Sequence, residues 1–470
     1  MAARRSKDDP IPDQPTTPPT PPIVRHVAII GGGFAGALMA VNLLRHDGPT
    51  ATLIERRSQA GLGVAYSAAH PDHRLNVRAG NMSALPDDPG HFERWLADRH
   101  PAHVGGFAPR LIYGDYLTDL LSATAARSNG RLRIVRGDAV DLALSDAGTT
   151  VTLDDGSRIA ADAVVLATGN LPPHTPPGID PALLGPDRYA ADPWAADVAD
   201  GLRDDDTVLL LGGGLTMVDV ALLLDARGFR GRMLALSRRG LLPRAHGDAP
   251  AAPLAERPQG SPANLLRQVR ARAAQTGWRS AVDALRPHTQ SLWRGAEAPD
   301  RARFLRHLRP WWDVHRHRLA PQVADRVAAL RAAGGLRIVA GKLEQVLSGP
   351  AGMTLRYRPR GDTAGATLPV RRIVNCTGPL GDIRRTSEPL LRGMLDRGLI
   401  RPDPLQIGID VDPQSAVLDR DGATSGRLFA IGPMTRGTFW EIVAVPDIRQ
   451  QTWSVARRLS NAMWVGGEGL

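Results

Sequence analysis

The sequence predicts an α/β protein with two related strand–turn–helix domains, one inserted into the other, and a separate helical segment. Two glycine-rich turns, Gly31–Gly36 and Gly212–Met217, each follow a short apolar strand and precede an apolar helical stretch. Residues 263–334 are instead Arg-rich with helical periodicity. A strand, a glycine turn and a helix in this order are typical of Rossmann-like dinucleotide-binding domains.

Length and charge set the first limits on function. A chain of 470 residues points to two or three domains. The net charge of +10 comes almost wholly from arginine, because Lys7 and Lys342 are the only lysines. The arginines are scattered, and aromatic residues make up only 4% of the chain, so no base-stacking surface is expected. We predict small anionic molecules as ligands and no nucleic acid partner.

Segments of special composition add further expectations. Residues 1–24 are rich in Pro and Thr without the apolar core of a secretory signal, so we predict a disordered tail. No apolar run approaches the roughly 20 residues needed to cross a bilayer, which predicts a cytoplasmic protein without membrane contact. A single cysteine, Cys376, excludes an intramolecular disulfide, a multi-cysteine metal site and a redox dithiol pair.

The first glycine turn has the residues that a dinucleotide needs. Gly31 permits the tight turn, Gly33 lets the backbone approach a pyrophosphate, and Gly36 lets the helix pack on the strand. The helix N-terminus, with Phe34 and Ala35, offers amides to phosphates. The next strand, Thr50–Glu55, ends in a carboxylate suited to ribose hydroxyls.

The second turn differs from the first at two positions. Gly212, Gly214 and Thr216 keep the pattern, but Met217 stands where the third glycine is expected. The following strand ends in Arg238 and Arg239 rather than in a carboxylate, and guanidinium groups favour a 2′-phosphate. We therefore expect FAD at the first turn and NADPH, rather than NADH, at the second; Arg238 and Arg239 as plain surface charges are the alternative.

Further strands complete the expected domains. Ala163–Asn170 and Arg372–Pro379 both run into a Thr-Gly turn, and Thr168 and Gly169 are expected at the cofactor. Arg133–Val140 alternates as one strand beside the adenine, with Val140 in contact. A last strand ends at Gly432, and Pro446 begins a C-terminal helix whose dipole would face the flavin, unless it serves only for packing.

The expected boundaries follow from these elements. They place the FAD domain at 25–195 and 370–465, the NAD(P)H domain at 205–262 and 335–369, and a helical substrate or packing segment at 263–334. In that segment, Phe304, Leu308, Trp311 and His315 recur at helical spacing, and we interpret them as a core stripe. The nearby histidines lack the spacing of metal ligands, so no metal site is predicted.

Taken together, these motifs carry a family resemblance over about residues 26–455. The sequence resembles the FAD/NAD(P)-binding proteins that include bacterial FAD-dependent urate hydroxylase and the nitrosuccinate-forming aspartate N-hydroxylase. The resemblance rests on Gly31–Gly36, Gly61–Tyr66, His73–Val77, Met82–Ser83, Pro109–Gly114, Ala167–Asn170, Asp192–Trp194, Gly212–Asp219, Ser237–Gly240, Leu242–His246, Pro310–Arg318 and Trp440–Arg449. Pro433 departs from the Gly-Asp of many two-domain flavoproteins, so the contact of that acid with the ribityl chain is absent or made otherwise.

The resemblance implies a flavin monooxygenase that consumes NAD(P)H and O2 and transfers oxygen through a flavin C4a-hydroperoxide. It implies cofactor or substrate contacts for residues that could each equally be structural: Tyr66, Asn76, Arg110, Tyr113, Arg244 and His246. In the helical segment, His315 or Arg316 is a further candidate for holding an anionic substrate. Urate is the leading specific substrate because it is anionic and the chain is Arg-rich. An amino-acid N-hydroxylase and an NAD(P)H:acceptor flavin reductase are the alternatives, and the oligomeric state is left open.

Overall fold

A computed structural model describes residues 24–45, 48–67, 70–194, 197–247, 252–349 and 352–460. Most of the expected tail, residues 1–23, and the end of the expected FAD domain, 461–465, lie outside these ranges. Val24, assigned to the tail by sequence, is buried. The expected fold class is confirmed: the chain forms two parallel, Rossmann-like sheets with helices around them.

The strands of the described residues are β1 (His26–Ile30), β2 (Thr50–Glu55), β3 (Leu132–Arg136), β4 (Ala139–Ser145), β5 (Gly148–Leu153), β6 (Arg158–Ala161), β7 (Ala163–Leu166), β8 (Tyr189–Ala190), β9 (Thr207–Leu211), β10 (Arg232–Ser237), β11 (Leu336–Gly349), β12 (Gly352–Pro359), β13 (Ala366–Val370), β14 (Arg372–Asn375), β15 (Ala416–Leu418) and β16 (Thr424–Ala430).

The α-helices of the same residues are α1 (Phe34–Leu44), α2 (Gly63–Ser67), α3 (His91–Arg99), α4 (Arg110–Arg127), α5 (Pro181–Leu184), α6 (Leu215–Ala226), α7 (Pro262–Thr276), α8 (Trp278–Asp283), α9 (Thr289–Arg294), α10 (Ala298–His307), α11 (Arg309–Arg316), α12 (Pro321–Ala332), α13 (Pro389–Arg397) and α14 (Val445–Leu459).

The first sheet has the strand order β15-β16-β7-β1-β2-β3. Its five neighbouring strands from β16 to β3 are parallel, and β15 is antiparallel to β16 at the edge. Central strands β1 and β7 are apolar and almost fully buried, as parallel strands covered on both faces must be. A separate antiparallel meander of β4, β5 and β6 lies between β3 and β7 in the chain.

The second sheet has the order β13-β12-β11-β10-β9-β14-β8. Strands β8, β14, β9, β10 and the first half of β11 are parallel, and the second half of β11 continues into an antiparallel hairpin with β12 and β13. The expected strands that lead into Thr-Gly turns are thus found in both sheets, as β7 and β14.

Sheet membership corrects the expected domain boundaries. Strands β8 and β14 were assigned to the FAD domain, but both pair in the second sheet, β14 directly beside β9. Helix α12 was assigned to the helical segment, but Val323 and Val327 pack in the core of the second sheet, so α12 is the crossover helix between β10 and β11. The independent helical segment is therefore α7–α11.

Two further expectations change in detail. Arg133–Val140 is not one strand: β3 ends at Arg136, and β4 begins a different sheet at Ala139. The expected core stripe is not found at Phe304, Leu308, Trp311 and His315. The helix is interrupted between α10 and α11, and Trp311 is 42% exposed. The expected C-terminal helix forms as α14, which begins at Val445 and buries Ile448, Val455 and Leu459.

We predict that Gly36→Ala destabilises the first domain. A Cβ at Gly36 would lie 1.8 Å from the carbonyl oxygen of Gly31, a backbone atom that cannot move without separating α1 from β1. The expected cost is roughly 1–3 kcal/mol or more, measured as the shift of the urea unfolding midpoint.

Gly349→Ala is the matched control, since a Cβ there meets nothing within 4 Å. It should change the unfolding free energy by less than about 0.5 kcal/mol. Equal effects of the two substitutions would contradict the packing role of Gly36.

Candidate functional site: two nucleotide turns and the contacts between them

The turn after β1 is shaped for a close backbone approach. Gly31 has φ +101°, and a Cβ on it would lie 2.4 Å from the carbonyl oxygen of Ala167. Gly33 is the N-cap of α1, no side chain caps the helix, and its first turn holds no acid. The N-terminal amides at Phe34, Ala35 and Gly36 therefore have no side-chain acceptor, which suits them to a phosphate.

Glu55 holds this turn in shape. Its side chain is buried, Oε2 accepts the Gly32 N–H at 2.7 Å, and Oε1 accepts the Arg57 N–H at 2.9 Å. A carboxylate has about four acceptor positions, so these two bonds leave capacity for another donor. The acid expected to accept ribose hydroxyls thus also fixes the glycine loop.

A buried, unpartnered hydroxyl marks the opposite wall of the turn. Within the described residues, Thr168 Oγ1 is buried and has no hydrogen-bond partner. The Cα of Thr168 lies 3.3 Å from the Cβ position of Gly31. Because buried polar groups are nearly always bonded, Thr168 needs a partner that the protein does not supply. The orphaned hydroxyl, the uncapped amides and the glycine cradle all fit a dinucleotide.

Two more glycines border the same turn. Gly169 has φ +70°, and Gly432 has φ +77°. A Cβ on Gly432 would lie 3.3 Å from the Cβ of Ala35, so the last strand of the sheet ends beside the start of α1. The Gly432 N–H donates to Gln451 Oε1 at 2.8 Å, which ties the turn to α14.

Tyr66 and Tyr113 belong to a ring cluster with Phe34. The rings of Tyr66 and Tyr113 are 4.9 Å apart, and that of Phe34 is 6.2 Å from both. Tyr113 is fully buried, and its hydroxyl donates to the Met82 carbonyl at 2.8 Å. Burial raises the pKa of Tyr66 and of Tyr113. Tyr113 is therefore a core residue, which corrects its expected contact with substrate or flavin.

Val140 lies at an irregularity of the meander. The register between β4 and β5 shifts between Ala139 and Asp141, so Val140 has no cross-strand partner. Bulged residues leave the ladder at such points. Its contact with an adenine stays a prediction.

The second turn repeats the geometry of the first. Gly212 has φ +132°, and a Cβ on it would lie 2.3 Å from the Cys376 carbonyl oxygen. Gly214 is the N-cap of α6, again without a side-chain cap or an acid in the first turn. Thr216 is half-buried within α6. Met217, expected at the cofactor, is fully buried in the core of the second sheet, so its role is packing.

Arginines gather in a small pocket beyond the second turn. The pocket has a volume of about 230 Å³ and is lined by Arg238, Arg239, Arg306 and Arg360, together with Pro310. None of the four guanidinium groups forms an ion pair with a described carboxylate. A site with four positive charges and no counter-charge favours a multiply charged anion.

Arg110 joins the two domains, and its expected position near substrate or flavin stays a prediction. Its guanidinium binds both carboxylate oxygens of Asp219 in α6, Nη1 to Oδ2 at 2.8 Å and Nη2 to Oδ1 at 3.2 Å. The two side chains are only 17% and 10% exposed. Arg110 Nε also donates to the Arg74 carbonyl. This bidentate pair fixes α6 against the start of α4.

His73 supports the same junction. The His70 N–H donates to His73 Nδ1 at 3.0 Å, and Nε2 bonds the Asp219 carbonyl oxygen at 2.9 Å. Burial lowers the pKa of His73, although Asp219 acts in the opposite direction. A neutral ring with the proton on Nε2 fits both bonds.

Asn76 lies at a second contact between the domains. His246 Nε2 donates to the Asn76 carbonyl at 2.9 Å, and the His246 ring lies 5.1 Å from that of Phe107. Burial lowers the pKa of His246. Arg244, two residues earlier, is exposed. His246 is thus a packing contact, whereas the Asn76 side chain is half-exposed.

His315 and Arg316 point to different surroundings. His315 lines a large cavity in the helical segment and bonds the Trp311 carbonyl through Nδ1 at 2.7 Å. Arg316 is instead buried against Glu441, with 3.0 Å between Nε and Oε2. Burial lowers the pKa of Arg316, and Glu441 opposes this shift. The sequence offered His315 or Arg316 as a contact to an anionic substrate. Only His315 lines the cavity, and a role in substrate binding stays a prediction.

Glu441 is a buried carboxylate that sequence reasoning missed. Its side chain is 1% exposed and lies close to Arg286, Arg316 and His317, and Oε1 accepts the Trp312 Nε1–H at 2.7 Å. Burial alone would raise its pKa, but these neighbours outweigh burial and lower it. Its φ of +72° is costly for a non-glycine residue, by about 1–3 kcal/mol.

Some of the residues that the sequence did not single out lie within recognisable motifs, and others do not. Asp219 and Glu441 stand inside segments that carry the family resemblance, at Gly212–Asp219 and Trp440–Arg449, but without an assigned role. Arg306 and Arg360 have no local motif, because tertiary folding alone brings them beside Arg238 and Arg239.

The described ranges contain neither a cluster of metal-ligating side chains nor a membrane-spanning helix. Within them, no group of three or more His, Cys, Asp or Glu side chains is placed to hold a metal ion. Among their helices, none has the length and apolar character needed to cross a membrane.

Comparison with known proteins supports the first site. Residues 28–171 match a family model described as FAD-NAD(P)-binding, which confirms the expectation of FAD and NAD(P) binding. L-aspartate N-monooxygenase (nitrosuccinate-forming) of Streptomyces cremeus is 31% identical over 186 residues. That alignment covers 34% of this chain and 28% of the enzyme, so the similarity spans less than a third of that relative.

Solved structures share the whole fold. Ornithine N-hydroxylase of Kutzneria sp. 744, with reduced FAD, NADP+ and L-ornithine, has a TM-score of 0.65 and 13% identity, over 93% of this chain and 99% of that one. L-lysine 6-monooxygenase of Pseudomonas syringae has a TM-score of 0.65 and 16% identity, again over 93% and 99%. At such identities, the likeness concerns the fold alone.

We predict that Asp219→Asn loosens the junction between the domains. The substitution leaves the mostly buried Arg110 without its counter-charge, at an expected cost of about 3 kcal/mol in unfolding free energy. The double variant Arg110→Met, Asp219→Asn should recover part of this loss in a double-mutant cycle.

The control is Arg326→Met, which removes the more exposed ion pairs with Asp72 and Asp225. It should cost less than about 1 kcal/mol. A larger loss for Arg326→Met than for Asp219→Asn would refute the assignment of Asp219 as the main contact.

Proposed function

We propose that this protein is an FAD-dependent, NADPH-consuming N-monooxygenase that hydroxylates an amine of a small molecule. The observation that carries the proposal is the 31% identity to an L-aspartate N-monooxygenase over 186 residues. The overall reaction would be R–NH2 + O2 + NADPH + H+ → R–NHOH + H2O + NADP+. Urate, the leading expectation from sequence, gains no support from these similarities, so amine N-hydroxylation replaces it.

The first turn would hold FAD. The amides at the start of α1 would bind the pyrophosphate, the free acceptor positions of Glu55 the ribose, and Thr168 Oγ1 a polar atom of the cofactor. When bound, FAD supplies the redox chemistry by accepting hydride from NADPH and activating O2. Gly432, beside Ala35, would keep the last strand clear of it.

The second turn would hold NADPH. The uncapped amides of α6 would bind its pyrophosphate, and the pocket of Arg238, Arg239, Arg306 and Arg360 would bind its 2′-phosphate. NADH carries a hydroxyl in place of that phosphate and would gain little from four cations. The arginine pocket therefore supports the expected preference for NADPH.

The contacts between the domains would keep the two cofactors in one arrangement. Asp219 is bound by Arg110 and by His73, all near the second turn, and His246 bonds the loop that contains Asn76. Such fixed geometry is what hydride transfer needs, since reacting atoms must stay within a few tenths of an ångström of their productive positions. Asn76, half-exposed at this junction, stays a candidate for contact with flavin or substrate.

We predict that Arg238→Asp weakens NADPH binding far more than NADH binding. The loss of one charge-assisted phosphate contact should cost about 1.5–3 kcal/mol, roughly 10- to 150-fold in affinity. The measurement is the KM for each nucleotide in NAD(P)H oxidation.

Arg232→Asp is the matched control, because Arg232 is exposed at the opposite end of the same strand, β10. It should leave the ratio of the two KM values unchanged. If Arg238→Asp also left the ratio unchanged, the 2′-phosphate would have to bind elsewhere.

The proposed activity predicts a yellow protein whose NADPH oxidation depends on an amine. Amines of increasing size, from aspartate, ornithine and lysine to larger amphiphilic amines, are the first compounds to test, together with urate. O2 uptake and NADPH loss are followed together, and products are identified by mass spectrometry. We expect an amine to stimulate both rates equally and to give an N-hydroxy product.

Rapid reduction of dyes without an oxygenated product would support the acceptor reductase instead. Reduction of a disulfide acceptor through a pair of active-site cysteines is excluded, because Cys376 is the only cysteine of the chain and is buried. A protein that could not be loaded with FAD would contradict both functions.

A further inference from the structure

The helical segment forms a large apolar cavity that is open to solvent on one side. It has a volume of about 1060 Å³ and lies between helices α7 and α11. Its wall includes the rings of Trp278, Trp293, Trp311, Trp312, Phe304 and Trp440. Ligand cavities usually span about 300–1,000 Å³, so this one is slightly larger than the usual range.

The cavity adjoins the FAD domain. Trp440, in the loop before α14, stacks on Trp293 with 4.6 Å between ring centroids. Trp293 Nε1 donates to the Gly437 carbonyl at 2.8 Å. This loop follows Gly432, whose turn lies beside the start of α1. The loop that supplies Trp440 to the cavity wall is thus continuous with the turn beside the proposed flavin site.

The charged side chains at the cavity are mostly arginines. Of the two acids in its wall, Asp300 is paired with Arg303 and Glu256 is exposed. Arg301 is occupied by the carbonyls of Ala296 and Arg294. Arg272 differs from these: its Nε is buried and has no hydrogen-bond partner within the described residues.

An unpartnered buried donor in an apolar wall indicates a missing acceptor. The acceptor that best suits a guanidinium is a carboxylate, which can take two parallel hydrogen bonds. The rings, in turn, favour a bulky apolar or aromatic group. A single free amino acid would leave most of 1060 Å³ unfilled.

We propose that the substrate is an amphiphilic amine, with a carboxylate at Arg272 and an extended apolar body larger than one amino acid among the tryptophans. The proposal rests on the proposed function and narrows its substrate class. It also separates this chain from the aspartate, ornithine and lysine that the similar enzymes are named for.

The test measures binding without turnover, on the full-length, FAD-loaded, oxidised protein in the absence of NADPH. The probes are the dipeptide phenylalanyl-phenylalanine, its C-terminal amide, which lacks the carboxylate, and aspartate. Isothermal titration calorimetry and tryptophan fluorescence are the readouts. We expect the dipeptide to bind, the amide to bind about tenfold more weakly, and aspartate not to bind.

Variants assign the contacts. Arg272→Gln should reduce dipeptide affinity to that of the amide and leave amide binding unchanged. Arg267→Gln, an exposed position on the same helix outside the cavity wall, is the control and should behave as the parent protein. Trp311→Ala should weaken the binding of the dipeptide and of the amide equally, because both compounds have the same apolar side chains.

Several outcomes overturn the proposal: no dipeptide binding up to its solubility limit, equal affinity for dipeptide and amide, or Arg272→Gln indistinguishable from Arg267→Gln. Sedimentation that shows Trp311→Ala dissociating an oligomer without a change in dipeptide affinity would assign the cavity to a second copy of the chain. Because no step requires NADPH or O2, these results are independent of whether the protein is a monooxygenase.

Discussion

The carboxylate of Asp219 is the contact on which the arrangement of this molecule depends. It stands in the second turn of α6, directly after the glycine turn of the second domain. Arg110 of the first domain binds its two oxygens through Nη1 and Nη2. His73 binds the backbone of the same residue. A helix that presents phosphate-binding amides at one end is thus fixed to the other domain within its first two turns. Separate nucleotide domains gain a defined relative position through this pair.

A second set of charges fixes the helical segment. Glu441 Oε2 forms ion pairs with Arg286, in the turn after α8, and with Arg316 of α11. Trp312 Nε1 donates to Oε1 of the same carboxylate. Asp447 at the start of α14 also pairs with Arg286. The strained backbone of Glu441 is consistent with a position that its surroundings determine. The wall of the apolar cavity, including Trp440, is held by this neighbouring group of charges.

Much of the fold could be predicted from sequence, because glycine turns have strict local requirements. Gly31 and Gly212 need positive φ and close backbone approach, and both turns were placed correctly. Sheet membership could not be predicted, since β14 and β7 carry the same strand and Thr-Gly pattern yet pair in different sheets. Pairing depends on contacts distant in sequence that no local pattern encodes.

The site divides in the same way. The backbone-based part, uncapped helix ends and glycine turns, follows from local sequence. Side-chain roles do not, because they depend on which domain lies opposite. Arg110 and Tyr113 stand in one motif, but one meets Asp219 and the other is enclosed by rings. Met217 occupies a glycine position of the motif and serves the core.

The discontinuous first sheet has a consequence for biosynthesis. Strands β1, β2 and β7 leave the ribosome early, but β16, which pairs with β7, and α14, which packs on α1, come from the last fifth of the chain. Nearly every residue of α1 is buried in the finished protein. The nascent first domain therefore stays incomplete, with apolar surface exposed, while the inserted domain is translated and folds. Chains that terminate before α14 would expose that surface permanently and become clients of chaperones and proteases.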